Sequence, residues 1–235
     1  MVQKIIGKAL KEGRAILTET ESKELISLAG INVVETYLAS DREAAVEISR
    51  KVHYPVALKV VSPDIVHKSD IGGVKLNLKT SAQVRKAYDD IMTAVKVKTP
   101  RAKIWGVAVQ KMALPGIEII IGMSKDPQFG PVILFGLGGI LVEVLKDYAL
   151  RIVPLEKRDA SEMIKEIKAY PVLEGFRGRD PGDVPFLEDM LLKVSKFVGE
   201  NPEIKELDLN PVIVYKKGAV AVDARVVLEN PVKIR

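Results

Sequence analysis

The segment of residues 62–73, SPDIVHKSDIGG, concentrates polar and nucleophilic side chains between two runs of strand-forming residues. It contains His67, one of only two histidines in the chain. A neutral imidazole has a lone pair that can attack phosphorus, so a positioned histidine can act as a covalent relay. The loop ends in Gly72 and Gly73, and such loops can present backbone N–H groups to phosphate oxygens. The Walker A spacing is absent, and a loop histidine without function is the alternative interpretation.

Lys59 is the single charged residue in the apolar run PVALKVV at residues 55–61. Burial of an unpaired ammonium group costs several kcal/mol, so the pattern of the strand predicts a reason for this lysine. We expect either an edge position with the amine in water, or a side chain that points into a cleft against an anion. His53, the other histidine, has no comparable polar neighbours and is interpreted as structural.

Glu118 stands in the strand-like run GIEIIIG, in which its neighbours are apolar. A carboxylate that faces a cleft can accept hydrogen bonds from ribose hydroxyls. The alternative is a cross-strand pair with a lysine.

Near the C-terminus, ELDLNP at residues 206–211 places Glu206, Asp208 and Asn210 on one face of a strand. A turn at residues 216–218 brings Asp223 back towards Asn210. Carboxylate and amide oxygens without histidine or cysteine are hard ligands, which suit Mg²⁺ held largely through nucleotide phosphates. A solvated acidic face is the alternative.

The elements that must position these residues fall into two groups. Capping-box patterns at residues 18–21 and 40–43 open two helices, and Gly30 ends the first of them. In the first group we predict helices over 18–30, 40–52 and 81–95 and strands over 32–38, 55–61 and 73–78. This pattern predicts a lobe over residues 18–100, preceded by a leader helix over 1–17.

The second group follows Pro100 and Arg101 and is rich in strands that are punctuated by glycine. We predict strands over 104–112, 117–123, 132–135, 140–144, 207–214 and 219–223 and helices over 159–169 and 184–199. Strands followed by helices indicate a second α+β lobe over residues 101–235. Two lobes imply a cleft between them, where ligands usually bind.

Composition excludes several other classes of protein. The chain has 235 residues, 36 Lys+Arg against 31 Asp+Glu, and no cysteine, so disulfide scaffolds and thiolate metal sites are excluded. The longest uncharged apolar stretch, residues 131–142, is shorter than the roughly 20 residues of a membrane span. The N-terminus lacks the pattern of a secretory signal, and we expect a cytoplasmic protein without a membrane anchor. With 5% aromatic residues and dispersed charges, a nucleic-acid-binding module is disfavoured.

Taken together, these segments resemble the β subunit of ADP-forming acetate–CoA ligase, a member of the NDP-forming acyl-CoA synthetases with an ATP-grasp fold. The resemblance lies in PVALKVVSPDIVHKSDIGGVKLNL, GIEIIIG, LDLNPVIV and VDARVVL, and it extends from about residue 17 to residue 228. HKSDIGG is its specific part. The β subunit of succinyl–CoA ligase shares the order of elements but has no histidine at this place, so His67 distinguishes the two families.

The resemblance implies a role for each matching position within an α+β ATP-grasp fold of two lobes. His67 accepts a phosphoryl group and relays it between a distant active site and the nucleotide, and Lys59 contacts ATP phosphates. Gly72 and Gly73 are expected to neutralise phosphate through their amides, and Glu118 to bind ribose. The hinge strand that binds adenine corresponds to Gln110, Lys111 and Met112, and the metal site to Asp208, Asn210 and Asp223.

The resemblance also implies the reaction and the partner. The reaction is acyl-CoA + ADP + phosphate to acid + CoA + ATP, and it is reversible. Mg²⁺ or a similar divalent cation and ATP or ADP bind to this chain. The chain is too short to hold the whole activity, so we expect a separate CoA-binding α subunit with a second phosphohistidine, in an α2β2 assembly.

Two alternatives keep part of this site. Another ATP-grasp carboxylate ligase that proceeds by an acyl-phosphate needs Lys59, Glu118 and the metal ligands, but no histidine. A non-catalytic regulatory subunit only binds the nucleotide. The presence of the full set of expected phosphate and metal residues argues against the regulator.

Overall fold

The computed structural model describes residues 1–65, 67–138, 146–178 and 180–229. In these parts of the chain, the elements in order are α1 (Val2–Lys11), α2 (Glu19–Leu28), β1 (Thr36–Ala39), α3 (Arg42–Val52), β2 (Val56–Val61), β3 (Val74–Leu78), α4 (Ser81–Lys98), β4 (Gly106–Lys111), β5 (Ile117–Asp126), β6 (Gly130–Leu137), β7 (Tyr148–Ile152), α5 (Lys157–Glu166), α6 (Tyr170–Leu173), α7 (Val184–Glu200), β8 (Ile204–Val214), β9 (Ala219–Ala221) and β10 (Ala224–Leu228). None of the helices in these ranges combines the length and the apolar character of a bilayer span.

The chain divides into two compact units, each built from discontinuous segments. The small unit consists of Thr18–Glu21 and Val34–Leu114. The large unit consists of Met1–Leu17, Ser22–Val33 and Pro115–Arg235. Both units contain helices and antiparallel sheets, so the predicted α+β class is confirmed.

The small unit is built on a four-stranded antiparallel sheet in the order β1-β4-β2-β3. Every residue of β2 is buried, because this strand lies inside the sheet and α3 and α4 cover it with side chains such as Val46 and Ile91. Helix α3 begins after Asp41, whose carboxylate accepts a hydrogen bond from the Ala44 amide at 2.9 Å. The predicted N-cap at Ser40 is therefore one residue too early, since the negatively charged carboxylate of Asp41 is the acceptor that caps the helix.

The large unit contains a six-stranded sheet with the path β10-β8-β5-β6-β7, and β9 pairs with β8. Its apolar core surrounds large side chains such as Phe135 and Ile121 and includes residues of α5 and α7. Helix α1 belongs to this unit, because Ile6 and Ala9 are buried in the same core. The N-terminal helix predicted over residues 1–17 is thus an integral part of the large unit.

The boundary between the units differs from the predicted one at residues 100 and 101. Strand β4 pairs with β1 and β2, so the chain remains in the small unit until Leu114. Residues Ser22–Val33 join the large unit, although they lie between two segments of the small one. Strand pairing between residues far apart in sequence decides this division, and local composition carries no signal of it.

The individual elements follow the predicted order with several differences. Strands β7 and β10 and the short helix α6 were not predicted, and the strand predicted over 219–223 ends at Ala221. β10 instead begins at Ala224, after a bend, and four of its five residues are buried in the sheet. The strand predicted over 140–144 lies outside the described residues.

Candidate active site

Lys59 is buried on an interior strand and forms an ion pair with a carboxylate of this chain. Its Nζ donates a hydrogen bond to Glu19 Oε1 at 2.7 Å, and the Lys59 side chain is 8% exposed. Of the two alternatives given for Lys59, the edge position is wrong, because β2 lies between β4 and β3. The anion that Lys59 meets in this structure is Glu19, the first residue of α2.

Glu19 also binds a second lysine, and sequence reasoning missed it. Lys68 Nζ donates to Glu19 Oε2 at 2.6 Å, so one carboxylate bridges the buried strand and the histidine segment. The capping-box prediction at residues 18–21 is confirmed by reciprocal hydrogen bonds between Thr18 and Glu21. Within that motif, Glu21 takes part in capping and Glu19 does not. A carboxylate without a capping role was the sequence signal that could have indicated a partner for Lys59.

His67 is exposed and directly precedes a tight turn. In this turn the Gly72 amide donates to the Ser69 carbonyl at 3.0 Å and the Gly73 amide donates to the Lys68 carbonyl at 2.8 Å. The two glycine amides therefore close the turn in this conformation. We expect from the sequence that they face phosphate oxygens, and in this conformation they do not. Gly72 has a φ of +76°, a left-handed conformation that glycine adopts without strain.

Among the described residues, three polar side-chain contacts tie the histidine segment to the rest of the small unit, in addition to the packing of Ile65 in the apolar core. Besides the pair of Lys68 with Glu19, the Asp64 carboxylate accepts from the Lys103 amide at 2.7 Å. Lys98 Nζ donates to the carbonyl of Asp70 at 2.8 Å. The Asp64 carboxylate thus binds the backbone amide of Lys103.

Two of the three predicted hinge residues, Gln110 and Lys111, lie on β4 beside the strand of Lys59, and Met112 directly follows that strand. Gln110 is opposite Ala57 and Lys59 is opposite Ala108 in the register of β2 and β4, so Lys59 and Gln110 share a face of the sheet. Gln110 is buried, Lys111 is exposed, and the Met112 amide donates to the carbonyl of Pro55 at 3.0 Å.

Glu118 lies near the start of β5 in the large unit, and its side chain is exposed. Its carbonyl accepts a hydrogen bond from the Gly138 amide at 2.7 Å. A Cβ at position 138 would lie 3.1 Å from the Cβ of Glu118, so glycine allows this close approach. The backbone around Glu118 is therefore fixed on both sides, by Gly138 and by the pairing of Glu118 with Ile213.

Asp208 and Asp223 form a pair of interacting carboxylates in the same unit. Asp208 lies on β8 opposite Arg225 of β10. Burial raises the pKa of Asp208, the Arg225 guanidinium opposes this rise, and the negative charge of Asp223 adds to it. The Val222 amide donates to the Pro211 carbonyl at 2.9 Å, which holds the chain before Asp223 next to the end of the Asn210 segment.

These residues fit a divalent cation. No residue of the described ranges donates a hydrogen bond to the half-buried Asp208 carboxylate, and a cation would relieve its repulsion with Asp223. Within the same ranges no cluster of three or more His, Cys, Asp or Glu side chains has metal-binding geometry. Asp208, Asp223 and the Asn210 amide would therefore supply only part of a coordination shell, and phosphate oxygens or water would complete it.

The predicted site residues thus fall into two sets. Within the small unit Lys59 pairs with Glu19, Gln110 lies on the same sheet face as Lys59, and His67 directly precedes Lys68, the unpredicted second partner of Glu19. The large unit carries Glu118 and the Asp208–Asp223 pair.

Comparison with known proteins gives consistent matches over nearly the whole chain. Residues 8–228 match the family model of the ATP-grasp domain. In sequence, the chain is 49% identical over 226 residues to the β subunit of acetate–CoA ligase [ADP-forming] I of Pyrococcus furiosus, covering 96% of this chain and 97% of that one.

Among solved structures, the chain is similar to the dinucleotide-forming acetyl-coenzyme A synthetase 1 of Ca. Korarchaeum cryptofilum. The complex of that protein with coenzyme A, Ca-AMPCP and HgCl⁺ matches with a TM-score of 0.95 and 49% identity, over 97% of this chain and 100% of that one. Its complex with coenzyme A and Mg-AMPPCP, in which the phosphohistidine segment points towards the nucleotide binding site, matches with a TM-score of 0.87 and 46% identity over the same shares.

Proposed function

Because the chain belongs to the ATP-grasp family and, within it, to the β subunits of ADP-forming acetate–CoA ligases, we propose that it is the nucleotide-binding subunit of a reversible acyl-CoA ligase. The enzyme converts acyl-CoA, ADP and phosphate into acid, CoA and ATP. The observation that carries the proposal is the exposed His67 beside Lys68, whose ammonium group meets that of Lys59 at one buried carboxylate.

His67 takes the role of the phosphoryl carrier. In the direction of ATP use, an imidazole nitrogen forms a bond to the γ-phosphorus, the bond from that phosphorus to the bridging oxygen breaks, and ADP leaves with the electron pair. Such transfers depend mostly on positioning and charge neutralisation. The positive charge of Lys59 would neutralise charge on the phosphate groups of the nucleotide.

The nucleotide and its cation would be held by the residues that the resemblance assigns to them. We assign adenine to the strand of Gln110, Lys111 and Met112, and ribose to Glu118. Asp208, Asn210 and Asp223 would hold Mg²⁺, which when bound neutralises charge on the phosphates. Nucleotide analogues with Ca²⁺ or Mg²⁺ in the similar Korarchaeum structures support the binding of a nucleotide with a divalent cation.

The other half of the reaction belongs to a partner subunit in this proposal. The similar Pyrococcus protein is named as a β subunit, which supports a heteromeric enzyme. We propose a CoA-binding α subunit with its own phosphohistidine and an α2β2 stoichiometry. We place the enzyme in the cytoplasm, where ATP and CoA are available.

The proposal is tested by incubation of the chain with γ-labelled ATP and Mg²⁺, with and without the cognate α subunit. The wild type should acquire an acid-labile, alkali-stable label, and the His67→Ala variant should acquire none. His53→Ala, which changes the other histidine, serves as the control and should be labelled normally. If the wild type binds ATP but takes no label even with its partner, the relay is refuted and an ATP-grasp ligase without phosphohistidine, or a nucleotide sensor, takes its place.

A further inference from the structure

We propose that Glu19 is a positioning residue that holds the histidine segment of residues 62–73, through Lys68, at the phosphate-binding lysine Lys59. The inference rests on the proposed function, because it assigns to Glu19 the docking of His67 for transfer from the nucleotide. The two Glu19 oxygens accept from Lys59 at 2.7 Å and from Lys68 at 2.6 Å. Because Lys68 follows His67 directly, this bridge fixes the distance of His67 from Lys59.

Among the polar side-chain contacts of the segment with the rest of the unit, that of Lys68 with Glu19 is the most deeply buried. The Glu19 side chain is 1% exposed and that of Lys68 is 18% exposed. The contacts of Asp64 with Lys103 and of Lys98 with Asp70 are both exposed. Interactions of charges in water are weak, whereas a buried and hydrogen-bonded charge pair costs much more to break. Ile65 packs in the apolar core on the other side of His67 in sequence, and of the charged contacts that dock the segment the one with Glu19 contributes most.

The two lysines of the bridge lie on different kinds of element, so one end of the bridge is fixed and the other end can move. Lys59 lies on a fully buried interior strand, so the Glu19–Lys59 pair forms a fixed base. Lys68 lies in a loop, held by the turn to Gly73 and by its ammonium group. Loss of the Lys68 contact releases the segment and leaves the base intact.

The charge of this cluster suits its place beside a phosphoryl carrier. One carboxylate faces two ammonium groups, so the cluster as a whole is positive and attracts the phosphate groups of a nucleotide. Glu19 accepts from both ammonium groups and thus holds the two lysines side by side.

The test uses the Lys68→Met variant in the complete enzyme with its α subunit, because this change removes the movable end of the bridge. Lys68→Arg keeps a cationic donor, and Lys79→Met removes an exposed lysine of the same unit as the matched control. Three quantities are measured: the single-turnover rate of His67 labelling by γ-labelled ATP, the Kd of a non-hydrolysable ATP analogue, and amide hydrogen exchange over residues 62–73.

We expect Lys68→Met to lower the labelling rate by roughly tenfold or more, the factor that corresponds to one charge-assisted hydrogen bond. The Kd should remain within about twofold of the wild type, since the Lys59–Glu19 pair persists, and exchange over residues 62–73 should become faster. Lys68→Arg should restore most of the rate, and Lys79→Met should behave as the wild type.

Two labelling outcomes overturn the inference directly, and a third leaves its judgement to hydrogen exchange. Normal labelling by Lys68→Met shows that the bridge does not position His67. A parallel loss of labelling and nucleotide affinity makes Lys68 a nucleotide ligand. If the wild type takes no label, the proposed function fails by itself. Docking by Glu19 is then judged by hydrogen exchange alone and is refuted if the variant and the wild type exchange equally.

Discussion

Glu19 is the carboxylate that compensates the charges of Lys59 and Lys68 in the small unit. A carboxylate that is almost fully buried is normally costly, but two ammonium groups within hydrogen-bond distance compensate it. Its position at the first residue of α2 adds the favourable field of a helix N-terminus. Lys59 can remain inside the sheet for the same reason.

Glu19→Ala should lower the free energy of unfolding by about 3–5 kcal/mol, since it removes the carboxylate that pairs with the buried Lys59 ammonium group. Glu19→Gln should cost less, because the amide oxygen still accepts one hydrogen bond. Urea unfolding measures both variants, with Glu24→Ala as the control on an exposed position of the same helix. An effect of Glu19→Ala no larger than that of Glu24→Ala would contradict this account.

Asp208 shows the opposite balance, a carboxylate that its surroundings disfavour. Burial raises its pKa, and although the Arg225 guanidinium counteracts the rise, the charge of Asp223 reinforces it. The folded chain therefore holds the Asp208 proton more tightly than the unfolded chain does. The free energy of unfolding consequently falls as the pH rises from the unfolded pKa through the folded one, and the full penalty is present above both.

Asp208→Asn should therefore raise the Tm at pH 7 without divalent cations, because it removes the disfavoured charge at almost constant shape. The same variant should lose the additional stabilisation that Mg²⁺ with a nucleotide analogue gives to the wild type. Thermal unfolding with and without ligand tests both parts. Asp126→Asn, at the far end of β5, is the control. If the Tm of metal-free Asp208→Asn is lower than that of the wild type, the ionised Asp208 carboxylate does not destabilise the folded chain, and this account is refuted.

Among the elements, the pairing of β2 with β4 determines which candidate site residues of the small unit share a face of the sheet. Residues opposite each other in an antiparallel pair share a face of the sheet, so the side chains of Lys59 and Gln110 lie on the same face. The turn from Lys68 to Gly73 then connects to β2 through the Gly73 carbonyl, which accepts from the Val60 amide at 2.8 Å. The histidine segment is thereby attached to the same strand that carries Lys59.

Gly73→Ala should damage this attachment. A Cβ at position 73 would lie 2.6 Å from Val60 Cγ1 and 2.9 Å from the Lys68 carbonyl oxygen, and overpacking of this kind costs about 1–3 kcal/mol. We expect slower His67 labelling together with lower stability. Gly7→Ala is the matched control, because no atom lies within 4 Å of the added Cβ and alanine is favoured in a helix. Equal stability of the two variants would contradict the close packing.

At the scale of the whole molecule, the described residues form two apolar cores, one in each unit, and each unit contains its own candidate site residues. The matching family model spans segments of both units. Nucleotide binding should stabilise the folded chain, and one variant in each unit tests the residues assigned to the nucleotide.

A non-hydrolysable ATP analogue with Mg²⁺ at about 100 times its Kd should raise the free energy of unfolding by about 2.7 kcal/mol. Lys59→Met in the small unit and Asp208→Asn in the large unit should each abolish most of this gain. Titration of the Tm with the analogue measures the effect, and the control variant Lys79→Met should retain it. Full stabilisation of either site variant would remove its residue from the nucleotide site.

The sequence alone determined the class of chemistry, the order of most elements and the family. Helical periodicity and capping residues are local, so α3, α4 and α7 were predicted closely, and the motif around His67 identified the family that the comparisons confirm. The roles assigned to individual site residues remain predictions.

Only the tertiary structure decided which partners these residues meet. Glu19 pairs with Lys59 and Lys68, which lie 40 and 49 residues away along the chain, and β4 joins the small unit by pairing with β1 and β2. The amides of Gly72 and Gly73 close a turn for a similar reason, since their acceptors are set by the path of the loop. Contacts across such separations depend on strand register and packing, which no local pattern of residues encodes.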